Sequence, residues 1–261
     1  METVRAVRDL GAVDTGGSKA RFVYCDDGKE YVVKFVEGGR KTPINELVGG
    51  KLALTIDLPS PNIVKVEITE SFLNLFSELR TRIQAGLHIG IERLSSDTWS
   101  FNYPIEDRLR DKTLINAKQL YGVICFDNWT YNDDRDNKGN NMIEFLSDNK
   151  MKYIMIDFGH CFTDHVWDEN ILRNKRDSMY IMRVFDFIKR RVADFKFEDW
   201  FTIIENFPDI TIDSIVDEIP KSWNLSANEK NALLEFIKNR KHLIRKIINN
   251  NRGMVESWRL A

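Results

Sequence analysis

The feature that most constrains this chain is the run Asn132-Asp133-Asp134-Arg135-Asp136-Asn137-Lys138-Gly139-Asn140-Asn141, which passes directly into the apolar pair Met142-Ile143. Seven of its ten residues are Asp or Asn, a density that suits a rigid polar loop able to present a carboxylate to a hydroxyl and an amide oxygen to a divalent cation. A calcium loop would use the same oxygen donors, but no Glu stands at the closing position of an EF-hand. Downstream, Tyr153-Ile154-Met155-Ile156 reads as a short apolar strand that delivers Asp157, followed by Phe158, Gly159 and His160. Asp157 at the strand end is placed to ligate a metal ion, and Gly159 lets the chain turn away. Asp-Phe-Gly arises by chance in many chains, yet behind the Asp/Asn loop and an apolar strand it makes the strongest motif pair here.

Around this pair the chain has room for one large domain or two small lobes, with 261 residues, 43% of them hydrophobic and 30% charged. Those values exclude a disordered chain, a fibrous repeat and a small disulfide-stapled scaffold; no internal repeat is visible. The formal net charge is -2, so no global positive field draws the chain to nucleic acid or to a membrane surface, and any phosphate chemistry must be local. The charged N-terminal stretch lacks the apolar core of a signal peptide, and no run approaches the ~20 apolar residues that span a bilayer. Cys25, Cys125 and Cys161 are an odd, widely spaced set, which argues against a disulfide framework and for a reduced, cytoplasmic protein.

The hydrophobic period changes along the chain. Residues 21–35 place two β-rich runs around Asp26-Asp27-Gly28, which predicts a hairpin. Thr42 and Pro43 read as N-cap and first residue of a helix whose stripe is Ile44, Leu47, Val48 and Leu52. Strands are expected at 62–68 and 87–94, with a helix at about 71–82 between them. The polar Ser95-Ser96-Asp97 reads as a linker, so residues 1–95 are expected as a β-rich lobe and residues 96–261 as a mainly helical one. In the second lobe helical period runs over 180–195, and Ser226 with Glu229 forms a capping box before a long helix with Leu233, Ile237, Ile244 and Ile248 on its buried face. The basic residues Lys238, Arg240, Lys241, Arg245 and Lys246 on that helix read as a solvated face.

Two upstream segments become coherent with the motif pair if the task is to hold a nucleoside triphosphate and transfer its terminal phosphoryl group. Thr15-Gly16-Gly17-Ser18-Lys19 offers backbone N–H groups to phosphate oxygens, although in isolation it reads as a flexible turn. Lys34 near the end of a β-run can fix the α- and β-phosphates, with Glu46 of the following helix orienting its ammonium; without the other segments both would be exposed residues.

On these motifs the chain resembles the HipA-like kinases of the protein-kinase-like fold. Asn132, Asp134-Arg135 and Asn141-Met142-Ile143 match that family's catalytic loop, and Ile156-Asp157-Phe158-Gly159 matches its metal-binding segment, a likeness that covers nearly the whole chain. The resemblance implies an α+β, two-lobed protein-kinase-like fold with a small β-rich N-lobe and a mainly helical C-lobe. It implies ATP and Mg²⁺ as cofactors, phosphorylation of Ser or Thr, and often a toxin role with an antitoxin-type protein partner. By the same resemblance Asp134 is the base that orients the acceptor hydroxyl, Asn141 and Asp157 are metal ligands, Lys34 with Glu46 is the phosphate-positioning pair, and Gly16, Gly17 and Ser18 belong to the loop that covers the nucleotide phosphates. Ser18, by its place in that loop, is a self-phosphorylation candidate. Two departures matter: Asp136 stands where a His is common, and the gap from Asp134 to the Asn is long, so Asn140 is an alternative ligand and Asp136 an alternative base. A small-molecule kinase on the same fold and a nucleotide-binding interaction protein without turnover are the competing readings. His88, His160, His165 and His242 are scattered, and His160, Cys161 and His165 lack the paired spacing of a zinc site.

Overall fold

The computed structural model describes residues 1–13, 20–36, 40–81, 83–146, 149–192 and 194–258. The expected nucleotide-loop residues Gly16, Gly17 and Ser18, with Thr15 and Lys19, lie outside the described residues, as does the self-phosphorylation reading of Ser18. Strand β1 (Thr3–Ala12) pairs antiparallel with β2 (Arg21–Cys25), and β2 with β3 (Glu30–Lys34) across the expected Asp26-Asp27-Gly28 turn. Gly28 takes φ 82°, the left-handed conformation that a residue without Cβ adopts most readily. Strand β4 (Ile63–Ile68) and β5 (Gly86–Glu92) complete the sheet, which closes into a barrel in the order β1-β2-β3-β5-β4 because β4 runs parallel to β1. Val4, Val23, Cys25, Tyr31, Val33 and Val66 fill its interior, the alternation of each strand sending every second side chain inward.

Helix α1 (Thr42–Thr55) follows β3. Its first turn contains Thr42, while Lys41 occupies the cap position without a side-chain cap, one residue earlier than expected. Pro43 suits that first turn, where its missing N–H has no intrahelical partner. Between β4 and β5 the expected long helix is only α2 (Glu70–Leu75), capped by Thr69, and a 3₁₀ turn at Ser77–Leu79.

The larger lobe holds a second sheet, β6 (Thr98–Ser100), β7 (Thr113–Leu114), β8 (Asn141–Phe145) and β9 (Lys150–Met155), ordered β6-β8-β9-β7. Helix α3 (Gln119–Thr130) runs through its centre, buried along almost its entire length. Against it pack α5 (Asp186–Val192), α6 (Glu198–Glu205), α8 (Ala227–Lys241) and α9 (Ile244–Asn250), while α4 (Glu169–Lys175) and α7 (Asp209–Asp217) pack on α8 and α10 (Arg252–Ser257) on α9. The helical period over 180–195 is realised only as α5, and the expected long final helix breaks after Lys241. Its capping box is present, and Leu233, Ile237, Ile244 and Ile248 are all wholly buried.

The solvated reading of the basic face is corrected at Arg240 and Lys241, whereas Lys246, on α9, is exposed. Arg240 is fully buried and donates to the carbonyls of Asn128 (2.5 Å), Trp129 (3.1 Å) and Ser178 (3.0 Å). Lys241 is buried against Phe207 O (2.7 Å) and Asp209 (2.5 Å). Burial lowers the Arg240 pKa to about 10, but the planar fork is matched by carbonyls, which a single ammonium could not do. The three cysteines are free and buried, as expected of a chain without disulfides. Among the described residues no helix is long and apolar enough to cross a membrane.

Candidate active site

A cleft of about 1070 Å³ lies between the barrel and the second sheet, with Lys34, Asp134, Asn140 and Asp157 in its wall. Lys34 ends β3 and points into the cleft, 8% exposed, and Glu46 on α1 is wholly buried. The Lys34 ammonium sits 2.5 Å from Glu46 Oε1 and 2.8 Å from Asp157 Oδ1, so one cation serves two carboxyl groups. Burial works against the Lys34 charge, but Asp157 and Glu46 together raise its pKa above the ordinary lysine value. Burial pushes the Glu46 carboxyl up to about 7 against the pull of Lys34. At Asp157 burial also acts upward, yet Lys34 and the Gly159 N–H overcome it and hold the carboxyl well below the usual range.

Local backbone sets this arrangement. Asp157 takes φ 62°, and the Gly159 N–H donates to its Oδ1 at 3.1 Å. The Phe158 N–H donates to Glu46 Oε2 at 3.1 Å, which ties α1 directly to the Asp-Phe-Gly segment. Phe158 itself is buried edge-on to Phe126, with rings 5.8 Å apart. Gly49 of α1 admits it: a Cβ there would lie 2.9 Å from Phe158 Cβ and 3.1 Å from Cys161 Sγ.

The Asp/Asn loop follows Tyr131, whose left-handed backbone (φ 56°) ends α3. Its centre is Arg135, wholly buried, which donates to Asp127 (3.1 and 3.4 Å), Asn140 O (2.7 Å) and Ile156 O (2.8 Å). One guanidinium therefore joins α3, the loop and the strand end before Asp157. Asn132 Nδ2 donates to Asp127 Oδ1 at 3.0 Å and supports the same knot. Asp134 faces the cleft, its Oδ2 accepting from Asn140 Nδ2 (2.6 Å) and Asn137 Nδ2 (3.4 Å).

Asn141 does not reach the cleft. Its Nδ2 donates to Arg135 O (3.0 Å) and Asn137 O (2.7 Å), and its Oδ1 accepts from the Tyr153 hydroxyl (2.6 Å). Asn140 lines the cleft instead, and its Oδ1 accepts no hydrogen bond among the described residues. Asp136 turns to the surface, where its carboxylate pairs with Arg183 at 3.1 Å.

Of the residues singled out from sequence, Lys34, Glu46, Asp134 and Asp157 thus converge, and Asn140 takes the place expected of Asn141. Sequence reading missed the apolar walls of the cleft, where Ala20, Val32, Ile91, Met142 and Ile156 face one another. Strand alternation could have marked Val32 and Ile91, but nothing in the sequence says that β3 and β5 are neighbours. Val13 and Ala20, which also line the cleft, are joined by an N–H···O bond of 3.0 Å at the end of the β1–β2 hairpin.

A β-barrel lobe whose strand lysine meets a helix carboxylate, above a lobe carrying an Asp/Asn loop and Asp-Phe-Gly, defines a kinase-type phosphotransferase. The HipA-like kinase model matches residues 7–252, and the chain belongs to that family. The Helicobacter pylori proinflammatory kinase CtkA superposes with a TM-score of 0.62 at 13% identity, over 96% of this chain and 98% of that one. Hydra Fam20, solved with sugar, gives 0.52 at 11% identity, over 96% of this chain and 88% of that one. A Golgi casein kinase with Mn and ADP bound gives 0.52 at 10% identity, over 97% and 75%. At these identities the likeness is one of fold. Among curated proteins none matches the chain.

Proposed function

We propose that the chain transfers the γ-phosphoryl group of Mg²⁺-ATP to a Ser or Thr hydroxyl of a protein acceptor. The observation that carries this reading is the Lys34–Glu46–Asp157 cluster sharing one cleft with Asp134 and Asn140. Family membership, and a neighbouring fold that holds Mn and ADP, support the use of a nucleotide with a divalent cation. The donor set fits a hard cation, since Asn140 Oδ1 and the Asp157 carboxylate are oxygen ligands. A single ammonium between two carboxyl groups also leaves the cluster short of positive charge.

Bound Mg²⁺ supplies neutralisation of the phosphate charge. Lys34 holds the α- and β-phosphates as a compact cation, and Glu46 keeps its ammonium in place. Ala20, Val32, Ile91, Met142 and Ile156 offer an apolar slot for the base. Asp134 accepts the proton of the acceptor hydroxyl as that oxygen bonds to the γ-phosphorus. The bond from the γ-phosphorus to the bridging oxygen breaks, and ADP leaves with the electron pair. Hydrogen bonds from Asn140 and Asn137 occupy Asp134 Oδ2 and leave Oδ1 for the proton. The family reading adds an antitoxin-type protein partner, for which co-purification from the native host is the direct assay.

Calorimetry and phosphotransfer from labelled ATP test the proposal together. Mg²⁺-ATP at a hundred times its dissociation constant should stabilise the fold by about 2.7 kcal/mol. Asp157→Asn should abolish the magnesium-dependent part. Asp134→Asn should keep nucleotide affinity and lose transfer by at least ~10²-fold. Absence of nucleotide binding with and without Mg²⁺ refutes the reading, and binding without transfer to any protein in a lysate favours a nucleotide-binding interaction protein.

A further inference from the structure

Beyond Gly159 the chain doubles back sharply. Phe162 and Thr163 take φ of 61° and 88°, a conformation that costs energy for any residue with a Cβ and most for β-branched Thr163. Helix α1 and the residue before it hold the reversal. Asn45 Nδ2 donates to Gly159 O (2.7 Å) and Asp164 O (2.9 Å), Trp167 Nε1 donates to Asn45 Oδ1 (2.8 Å), and the Lys41 N–H donates to His165 O (2.7 Å). The turn sends Cys161 and Phe162 wholly into the core. It leaves His160, Asp164 and His165 partly exposed, with both imidazoles in the wall of the cleft. A ligating atom from each of the three lies within 4.8 Å of the others. Asp164 Oδ1 contacts His165 Nδ1 and is 3.8 Å from His160 Nδ1. Phosphoryl transfer as derived above uses none of these groups.

We infer that His160, Asp164 and His165 form a binding site for a divalent transition metal of the Zn²⁺ class at the edge of the cleft. Two imidazoles and one carboxylate favour Zn²⁺, Co²⁺ or Ni²⁺ over Mg²⁺, which takes oxygen donors. Three protein ligands on a four-coordinate ion leave one position for water or an anionic oxygen. The site is chemically separate from the oxygen pair of Asn140 and Asp157, so the cleft carries a hard site and a nitrogen-rich one. The strained Phe162-Thr163 turn makes it, because residues five apart on a relaxed strand would point away from each other. Sequence spacing hid the site: it offers Cys161 beside His160, whereas the fold buries that thiol and turns Asp164 outward.

The test is titration of the full chain with Co²⁺, without nucleotide or Mg²⁺, followed by visible ligand-field absorption, and then displacement by Zn²⁺. One equivalent should bind with the intense bands of a low-coordinate, nitrogen-containing site and be displaced stoichiometrically. His160→Ala and His165→Ala, with folding checked by circular dichroism, should each weaken binding at least tenfold. Asp157→Asn should leave it unchanged. Absence of a bound equivalent, survival of binding in the His160→Ala/His165→Ala double variant, or loss confined to Asp157→Asn would overturn the assignment. Because no phosphotransfer is measured, failure here leaves the kinase reading standing, and failure of the kinase reading leaves this one standing.

Discussion

Replacing Asp127 by Asn should unfold the chain more readily than any exposed substitution. Asp127 is 1% exposed and Arg135 not at all. The guanidinium meets the carboxylate at 3.1 and 3.4 Å and also donates to Asn140 O and Ile156 O. Asn keeps the shape and one acceptor but removes the charge, which leaves a buried cation without its counter-ion. Breaking a buried pair in this way costs about 3–5 kcal/mol. For a chain of this size that corresponds to a fall in melting temperature of roughly 6–20 °C. Denaturant titration followed by tryptophan fluorescence and a thermal scan measure both quantities. Phosphotransfer should fall further than nucleotide affinity in Asp127→Asn, because Arg135 fixes the backbone of Asn140 and the residue before Asp157. An Asp127→Asn variant within ~0.5 kcal/mol of wild type would refute the claim that this pair holds the loop.

Three further outcomes follow from the site. Asn140→Ala should weaken magnesium-dependent nucleotide binding while Asn141→Ala, which strips the Tyr153 hydroxyl and two backbone carbonyls of a buried partner, should chiefly lower stability; calorimetry and melting separate the two. The Glu46 carboxyl, ordinarily near 4.5 and pushed up to about 7 in the fold, binds a proton more tightly folded than unfolded. Its contribution is therefore full below the ordinary value and lost as pH rises through about 7, and Glu46→Gln should flatten the stability-pH curve over that window. Gly49→Ala puts a Cβ 2.9 Å from Phe158 Cβ. Overpacking of about 1–3 kcal/mol outweighs the ~1 kcal/mol gained in helix propensity, and loss of the Phe158 N–H bond to Glu46 should reduce phosphotransfer in parallel.

Much of the site was legible because its residues are clustered in sequence and chemically conspicuous. Asp134 lies in a run dense in Asp and Asn, and Asp157 closes an apolar strand. Lys34 and Glu46 were legible only in their company. Helix α8 was legible at its start, where the capping box is a local device, and not on its basic face, where Arg240 and Lys241 are buried by carbonyls that come from α3 and from the loops after α4 and α6. Strand β1 went unpredicted: its inward residues Val4 and Ala6 are small, and an apolar Val7 stands outward beside Arg5 and Arg8, so its period signals little until β2 and β4 flank it.

The amino-acid sequence by itself determined which chemical groups the cleft has at its disposal and the local elements that carry them, because caps, turns and apolar period depend on near neighbours. Only the tertiary structure decided which groups face the cleft. Asn140 and Asn141 are chemically identical, and their roles separate because β8 pairs with β9 from Asn141↔Met155 onward, which commits Asn141 to the Tyr153 hydroxyl and leaves Asn140 on the cleft. Cys161 and Asp164 exchange the places their spacing suggests because α1 holds a strained turn between them. Both outcomes rest on hydrogen bonds between residues distant in the chain, and a side chain's direction is set by such bonds rather than by its own identity.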